Sequence, residues 1–259
     1  NRSQWTGFTG APLSHTISLN APLLNESLGF GFSFSNDVIG PASLNNLTLD
    51  LAYHLKFNDS ENRLSFGLKA GGNHTTLDLN NLSLDDQNDP AFNPDNNGKF
   101  MPNYGFGLYY YTPKWYLGFS SPHMVNYDFN ATQRHYFVIA GALFELNDII
   151  KFRPSSYIKL TNNAPVTMDL TGMLIFKDRM WGGVAFRSSL GMFLPSNNKG
   201  GGFGLLAGIN LSDQLSLGYS FGYSLGNQTF TYNGGTHEIV LRYDYLYKEK
   251  KIIKSPRYF

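Results

Sequence analysis

The segment Leu47-Thr-Leu-Asp-Leu-Ala-Tyr-His-Leu-Lys-Phe57 places Leu47, Leu49, Leu51, Tyr53, Leu55 and Phe57 on odd positions and Thr48, Asp50, Ala52, His54 and Lys56 on even ones. A β-strand sends alternate side chains to opposite faces, so this is one apolar stripe backed by one polar stripe. The run is long for a strand of a water-soluble sheet. The same pattern recurs in Leu28–Phe34, Leu64–Ala70, Tyr104–Tyr110 and Leu215–Leu225. A chain patterned this way needs an apolar surrounding for one face and water for the other.

Composition agrees. Only 15% of the residues are charged, and 27 glycines, 16 tyrosines and 21 phenylalanines make an all-β vocabulary. The pattern runs from end to end without a linker or a low-complexity tract, so residues 1–259 read as a single domain, with 248–259 as a basic C-terminal tail. No run of about eighteen apolar residues is present, which excludes a transmembrane helix. The negative mean hydropathy would ordinarily point to a soluble protein. That inference fails for a membrane barrel, whose lipid-facing residues are interleaved with lumen-facing polar ones. Asn1–Trp5 have neither a charged n-region nor an apolar h-region, so no signal peptide is expected in the sequence. A net charge of +1 argues against a nucleic-acid footprint.

Alternation and turn signals predict strands near 13–22, 28–36, 44–57, 62–73, 102–111, 114–120, 135–147, 150–161, 165–176, 179–190, 202–212, 214–225 and 236–247. From Phe57 onward the connections alternate between short ones (58–61, 112–113, 147–149, 177–178, 212–213) and longer ones (74–101, 121–134, 191–201, 226–235). The short link 162–164 on the long side is the exception. Outer-membrane barrels have short periplasmic turns, longer extracellular loops and an even strand number. The phase of the turns makes the first predicted strand run away from the outside, so an opposite strand is expected before it, with Asn1–Gly7 as its upper end and the rest of it missing before Asn1. The expected fold is an antiparallel transmembrane β-barrel of about fourteen strands in the cell outer membrane, its C-terminus periplasmic.

In this register Asp50, His54 and Lys56 face the lumen, together with Lys69, Asp169, Arg242 and Asp244 from other strands. Water or counter-charges inside the barrel solvate them. Trp115, Tyr116, Trp181 and Tyr247 lie near strand ends, where interface girdles belong. Pro154, inside a predicted strand, calls for a bulge or a shorter strand.

Few constellations suggest chemistry. His237-Glu238 is half of a zinc motif whose second histidine is replaced by Leu241. Asn93, Asp95 and Asn97 with Gly98 have the spacing of half a calcium loop, near Asp85, Asp86 and Asp89, but Tyr104 stands where the bidentate acid belongs. Lys199-Gly-Gly-Gly-Phe-Gly204 lacks the Lys-Ser/Thr of a phosphate loop. Polar residues hydrogen-bonded at a wet rim explain all three. No enzyme, metal or cofactor is expected beyond that weak calcium signature.

Arg2-Ser-Gln-Trp-Thr-Gly-Phe-Thr-Gly-Ala-Pro12 resembles the opening motif of the PorP/SprF family, outer-membrane proteins of the type IX secretion and gliding machinery of Bacteroidetes. Asn36–Pro41, Leu64–Leu68, Gly107–Thr112, His135–Phe137, Pro154-Ser155, Ala164-Pro165 with Asp169, Gly235–Ile239 and Ser255–Phe259 resemble further family blocks in the same order. Two departures are Thr236, where the family usually has Ser, and Tyr219–Tyr223, which lacks an expected Asp. The resemblance implies a non-enzymatic barrel. It would anchor or help export a secreted adhesin through the cargo's C-terminal domain, or link the outer membrane to the periplasmic secretion and motor ring. A diffusion porin or small-solute channel is the alternative. The long loops concentrate length on one rim, so docking is expected there, through Asp85, Asp86, Phe92, Phe100, His123, Tyr127, Phe129, Phe230 and Tyr232. Expected partners are outer-membrane lipid, a secreted protein with a type IX C-terminal domain, and periplasmic components of the same system.

Overall fold

The computed structural model describes residues 1–23, 27–57, 61–78, 98, 100–125, 134–161, 164–189, 201–225 and 234–245. Its strands are β1 (Arg2–Ser3), β2 (Leu13–Leu23), β3 (Leu28–Ile39), β4 (Ala42–Lys56), β5 (Arg63–Leu77), β6 (Phe100–Tyr111), β7 (Trp115–Ser121), β8 (His135–Ala142), β9 (Phe144–Glu145), β10 (Ile150–Thr161), β11 (Thr167–Phe176), β12 (Met180–Ser189), β13 (Gly201–Asn210), β14 (Leu215–Ser224) and β15 (Thr236–Tyr243). Apart from β8 and β9, which both pair with β10, each pairs antiparallel with its sequence neighbours. β8 and β9 are two pieces of one strand, so the closed barrel has fourteen strands.

Two residues of β1 close the ring. Arg2 and Ser3 pair with Glu238 and His237 on one side and with Ser14 and Leu13 on the other. Backbone bonds from the Asn1 amino group to Ile239 O and from Ile239 N to Asn1 O extend the seam. Of the first strand inferred from turn parity, Arg2–Ser3 is present, within the expected Asn1–Gly7.

Closure conserves the alternation. Following the register around the ring, Asp50 opposes Lys69, Lys69 opposes Gly105, Tyr157 opposes Asp169, Asp169 opposes Arg187 and Ser220 opposes Glu238. All these positions share one face, the lumen. Every Asp, Glu, Lys and Arg within a described strand lies on that face. The other face is apolar: Leu51 is 56% exposed and Leu68 69% exposed, whereas lumenal Thr48 is 6% exposed. Apart from Ile39 and Val240, the large apolar side chains exposed within strands point outward. The buried apolar residues, Met101, Tyr111, Met173 and Ile175, are all on the lumen side. Burial against protein is thus replaced by burial in lipid, and strands that satisfy all their backbone groups within a closed sheet are what a bilayer tolerates.

The two rims differ. One carries the connections 112–114, 146–149, 177–179 and 211–214; the other carries 78–99, 122–134, 190–200 and 225–235. Gly40-Pro41 joins 162–166 as a short link on the long-loop rim.

Two local expectations need correction. Pro154 produces neither a bulge nor a shortened strand: β10 runs unbroken and opposes Gly172 in step with β11. Leu146 N donates to Ile150 O, which sets the even residues of β10 as the hydrogen-bonded pairs on the other side. Pro154 should then donate to Ala142 and has no N–H. The ladder lapses there, and the predicted strand 135–147 is split at Leu143 on its β10 side, while the Leu143 N–H still bonds Lys114 O in step with β7. The second correction concerns the girdle. Trp115 does face outward, but Tyr116 and Trp181 face the lumen, because each sits one step off the outward parity. The outer ring at the short-turn rim instead stacks Phe57, Tyr110 and Trp115, with centroids 6.2 and 5.2 Å apart. Tyr247 lies outside the described residues.

Candidate functional site in the barrel lumen

Cross-strand neighbours are close enough to bond directly, so the lumenal charges form short networks dictated by register. Lys69 on β5 reaches Asp50, directly opposite on β4, at 2.8 Å, and Thr48 at 3.3 Å. His54 Nδ1 and the hydroxyl of Ser65, also opposite, lie 2.7 Å apart. Asp169 on β11 accepts two bonds from the Arg187 fork, at 2.8 and 3.2 Å, and is 3.2 Å from Lys159 on β10. Arg242 bonds Asp244 at 2.9 Å just past the end of β15. Lys56 lies at the short-turn end of β4, on the same face as Asp50 and His54. The sheet therefore carries all seven residues expected in the lumen on that one face or its edge.

At the long-loop mouth the chain turns inward after β7. The amide of Asn103, on the lumen face of β6, holds the segment: its Oδ1 accepts from Met124 N at 2.8 Å and Val125 N at 3.1 Å, and its Nδ2 donates to Val125 O at 3.0 Å. Met124 N also approaches Tyr104 O at 3.0 Å, and Arg134 donates to Met124 O at 3.1 Å. The chain lies so close that a Cβ at Gly105 would stand 2.6 Å from Ser121 O and 2.7 Å from Pro122 Cα. Pro122 and His123 meet Asn46, Thr48, Lys69 and Asn73, lumenal residues of β4 and β5, around one small pocket. Pro122–Val125 thus forms a strap across the inner wall of β4–β6. Burial, and then the charges of His135 and Lys69, hold the His123 imidazole below its ordinary range.

The opposite wall, β10 to β15, is uncovered by this strap. A space of about 500 Å3 lies against it, lined among others by Arg153, Tyr157, Asp169, Trp181, Glu238 and Arg242. Lower down, toward the short-turn rim, Tyr109 packs on Tyr111 and Tyr116 at 5.4 and 5.7 Å. Trp181 lies flat over Gly208.

Of the residues expected to dock a partner, two fall within the described part. Phe100 is 61% exposed, but on the outer face, its ring over Gly72 and next to His74. His123 belongs to the strap and points into the mouth. Asp85, Asp86, Phe92, Tyr127, Phe129, Phe230 and Tyr232 lie outside the described residues, as do Asn93, Asp95 and Asn97. His237 and Glu238 diverge: Glu238 lines the lumen, while His237 faces outward and meets the Tyr219 hydroxyl at 2.7 Å. Adjacent strand positions on opposite faces cannot share a metal or a substrate. Asn103 was not singled out from sequence. A polar residue within Phe100–Tyr111, an otherwise apolar and aromatic strand, was its only signal.

Residues 1–243 match the family model described as the type IX secretion system membrane protein PorP/SprF. Comparison with curated proteins gives no match. Among solved structures, a mutant porin of Rhodopseudomonas blastica aligns over 94% of this chain and 96% of its own, at 9% identity and a TM-score of 0.41. A second mutant of that porin aligns over 90% of each chain at a TM-score of 0.39. These likenesses concern barrel architecture alone.

Proposed function

We propose, from the premise that this chain belongs to the PorP/SprF family of type IX secretion system membrane proteins, that it is a non-enzymatic outer-membrane barrel that anchors or helps export a secreted adhesin. The barrel holds the adhesin through the cargo's C-terminal domain. The long-loop rim faces the exterior and the C-terminus faces the periplasm. The observation that carries this reading is the asymmetry of the rims: chain length is spent on one rim, while the other is closed by tight turns. Among the described residues His54 meets the Ser65 hydroxyl, His237 the Tyr219 hydroxyl, His135 stacks on Phe137 and His123 sits in the strap.

Mild-detergent purification of the full-length protein from its native membrane, with mass spectrometry of what accompanies it, tests this. A stoichiometric secreted protein is expected, and deleting Asp78–Lys99 should release it into the medium while the barrel still assembles. A bare barrel that conducts ions would instead support a diffusion porin, the reading favoured by the charged lumen. Co-purification of periplasmic ring components alone would favour a link to the secretion motor.

A further inference from the structure

We infer that the wall of the lumen opposite the strap, open among the described residues, is a binding surface for an extended acidic peptide segment, an inference that rests on the reading that this barrel holds a secreted protein. The two halves of the lumen are built differently. On β4 and β5, Lys69 pairs with Asp50, Lys56 and Arg63 lie toward the short-turn rim, and the strap Pro122–Val125 covers the mouth above. From β10 round to β1, the lumenal face carries Lys151, Arg153, Lys159, Arg187, Arg242 and Arg2 against Asp169 and Glu238, with Asp178 and Asp244 at the short-turn rim paired to Lys151 and Arg242. Asp169 is already bonded to both Arg187 and Lys159. The Nε of Arg2 is buried and has no hydrogen-bond partner among the described residues.

The open space of about 500 Å3 lies against this basic half, with the Ser220 hydroxyl in its lining, while Ser216 donates its own hydroxyl to Asn210 at 2.8 Å. A charge excess inside a wall surrounded by lipid focuses its field along the lumen, since little solvent screens it from outside. Guanidinium forks match carboxylates with two parallel bonds, whereas a basic segment would meet the same forks as like charge. An extended chain presents alternate side chains to both walls, so one acidic face can meet β10–β1 while its back passes the strap. The chemistry selected is therefore a run of carboxylates, as side chains or as a chain terminus.

The test uses the full-length barrel in detergent and octaglutamate carrying a neutral fluorophore, followed by anisotropy, with octalysine as the comparison. Octaglutamate should bind, bind more weakly as salt rises, and lose on the order of tenfold in affinity for each guanidinium removed in Arg153→Ser and Arg242→Ser. Should the double variant fail to assemble, Arg242→Ser alone carries the test, because its side chain is part-exposed at the wall's lower end. Failure of octaglutamate to bind, equal binding of octalysine, or unchanged affinity in the variants overturns the inference. The proposed function fails separately, if no secreted protein accompanies the wild-type barrel from its membrane.

Discussion

Trp181 and Gly208 show how one atom can decide the shape of the lumen. They oppose each other on β12 and β13, and a Cβ at position 208 would fall within the indole. Gly141 stands in the same relation to Tyr116, at 2.6 Å. Glycine lets each ring lie along the wall instead of projecting across the lumen. Gly208→Ala is expected to destabilise the barrel by about 1–3 kcal/mol through overpacking, read as a lower denaturant midpoint in liposomes, with Trp181→Leu restoring it. His123 supplies a pH dependence at the same scale. Its folded pKa lies below the ordinary 6.5, so the opened strap binds the proton more readily than the seated one. The seat is complete above about pH 6.5 and weakens as pH falls below it. Amide protection at Met124 and Val125 should therefore drop between about pH 7.5 and about pH 5.5, and His123→Gln should remove the drop.

Single elements show where local chemistry was bent to serve closure. The hairpin between β11 and β12 turns on Lys177 and Asp178, both left-handed at φ 51° and 52°, with Arg179 N bonded to Phe176 O at 3.0 Å. This is the primed turn that matches strand twist, made without its preferred Asn-Gly. Lys177→Asn should stabilise the barrel by about 0.5–1 kcal/mol, since asparagine tolerates that conformation better. Slower unfolding in denaturant would show it, and the Lys151 to Asp178 contact is left in place. The strap is the second such element. Asn103→Ala removes the acceptor and donor that hold Met124 and Val125, leaving buried backbone groups to find water, at a cost of about 1–3 kcal/mol. Faster proteolysis at the strap with an unchanged barrel fragment is the expected result. The place of the 177–178 turn was legible in the sequence, but its φ signs and the strap's contact across strands were not, because alternation records neither.

At the scale of the whole molecule the two faces meet two solvents, and substitutions should obey that division more than residue type. Leu51→Arg, on the lipid face, should cost about 2–4 kcal/mol if it lies near the bilayer midplane. His54→Arg, three residues on and lumenal, should cost far less, because water and the Ser65 hydroxyl are at hand. Denaturant unfolding of both variants in liposomes compares them directly, and equal losses would contradict the assignment of faces. Much of this level was legible beforehand. The odd stripe from Leu47 to Phe57 and the even positions of Asp50 and His54 were enough to place each on its face, and turn parity was enough to require a strand at Asn1–Gly7.

Alternation and turn lengths, written in the sequence alone, determined the barrel, its strand number and which side chains of a strand share a face, because side chains two apart point the same way and a one-residue slip would turn the apolar set to the wrong side. Only the tertiary structure decided which turned face meets what. Tyr116 and Trp181 read as girdle residues until the pairing set them one step inward. Pro154 called for a bulge until the neighbouring strand yielded at Leu143 instead. His123, read as part of a long rim loop, is set in the mouth by the segment that Asn103 holds. Each of these depends on atoms brought together across strands distant in sequence, and a one-dimensional pattern carries no record of the distance between them.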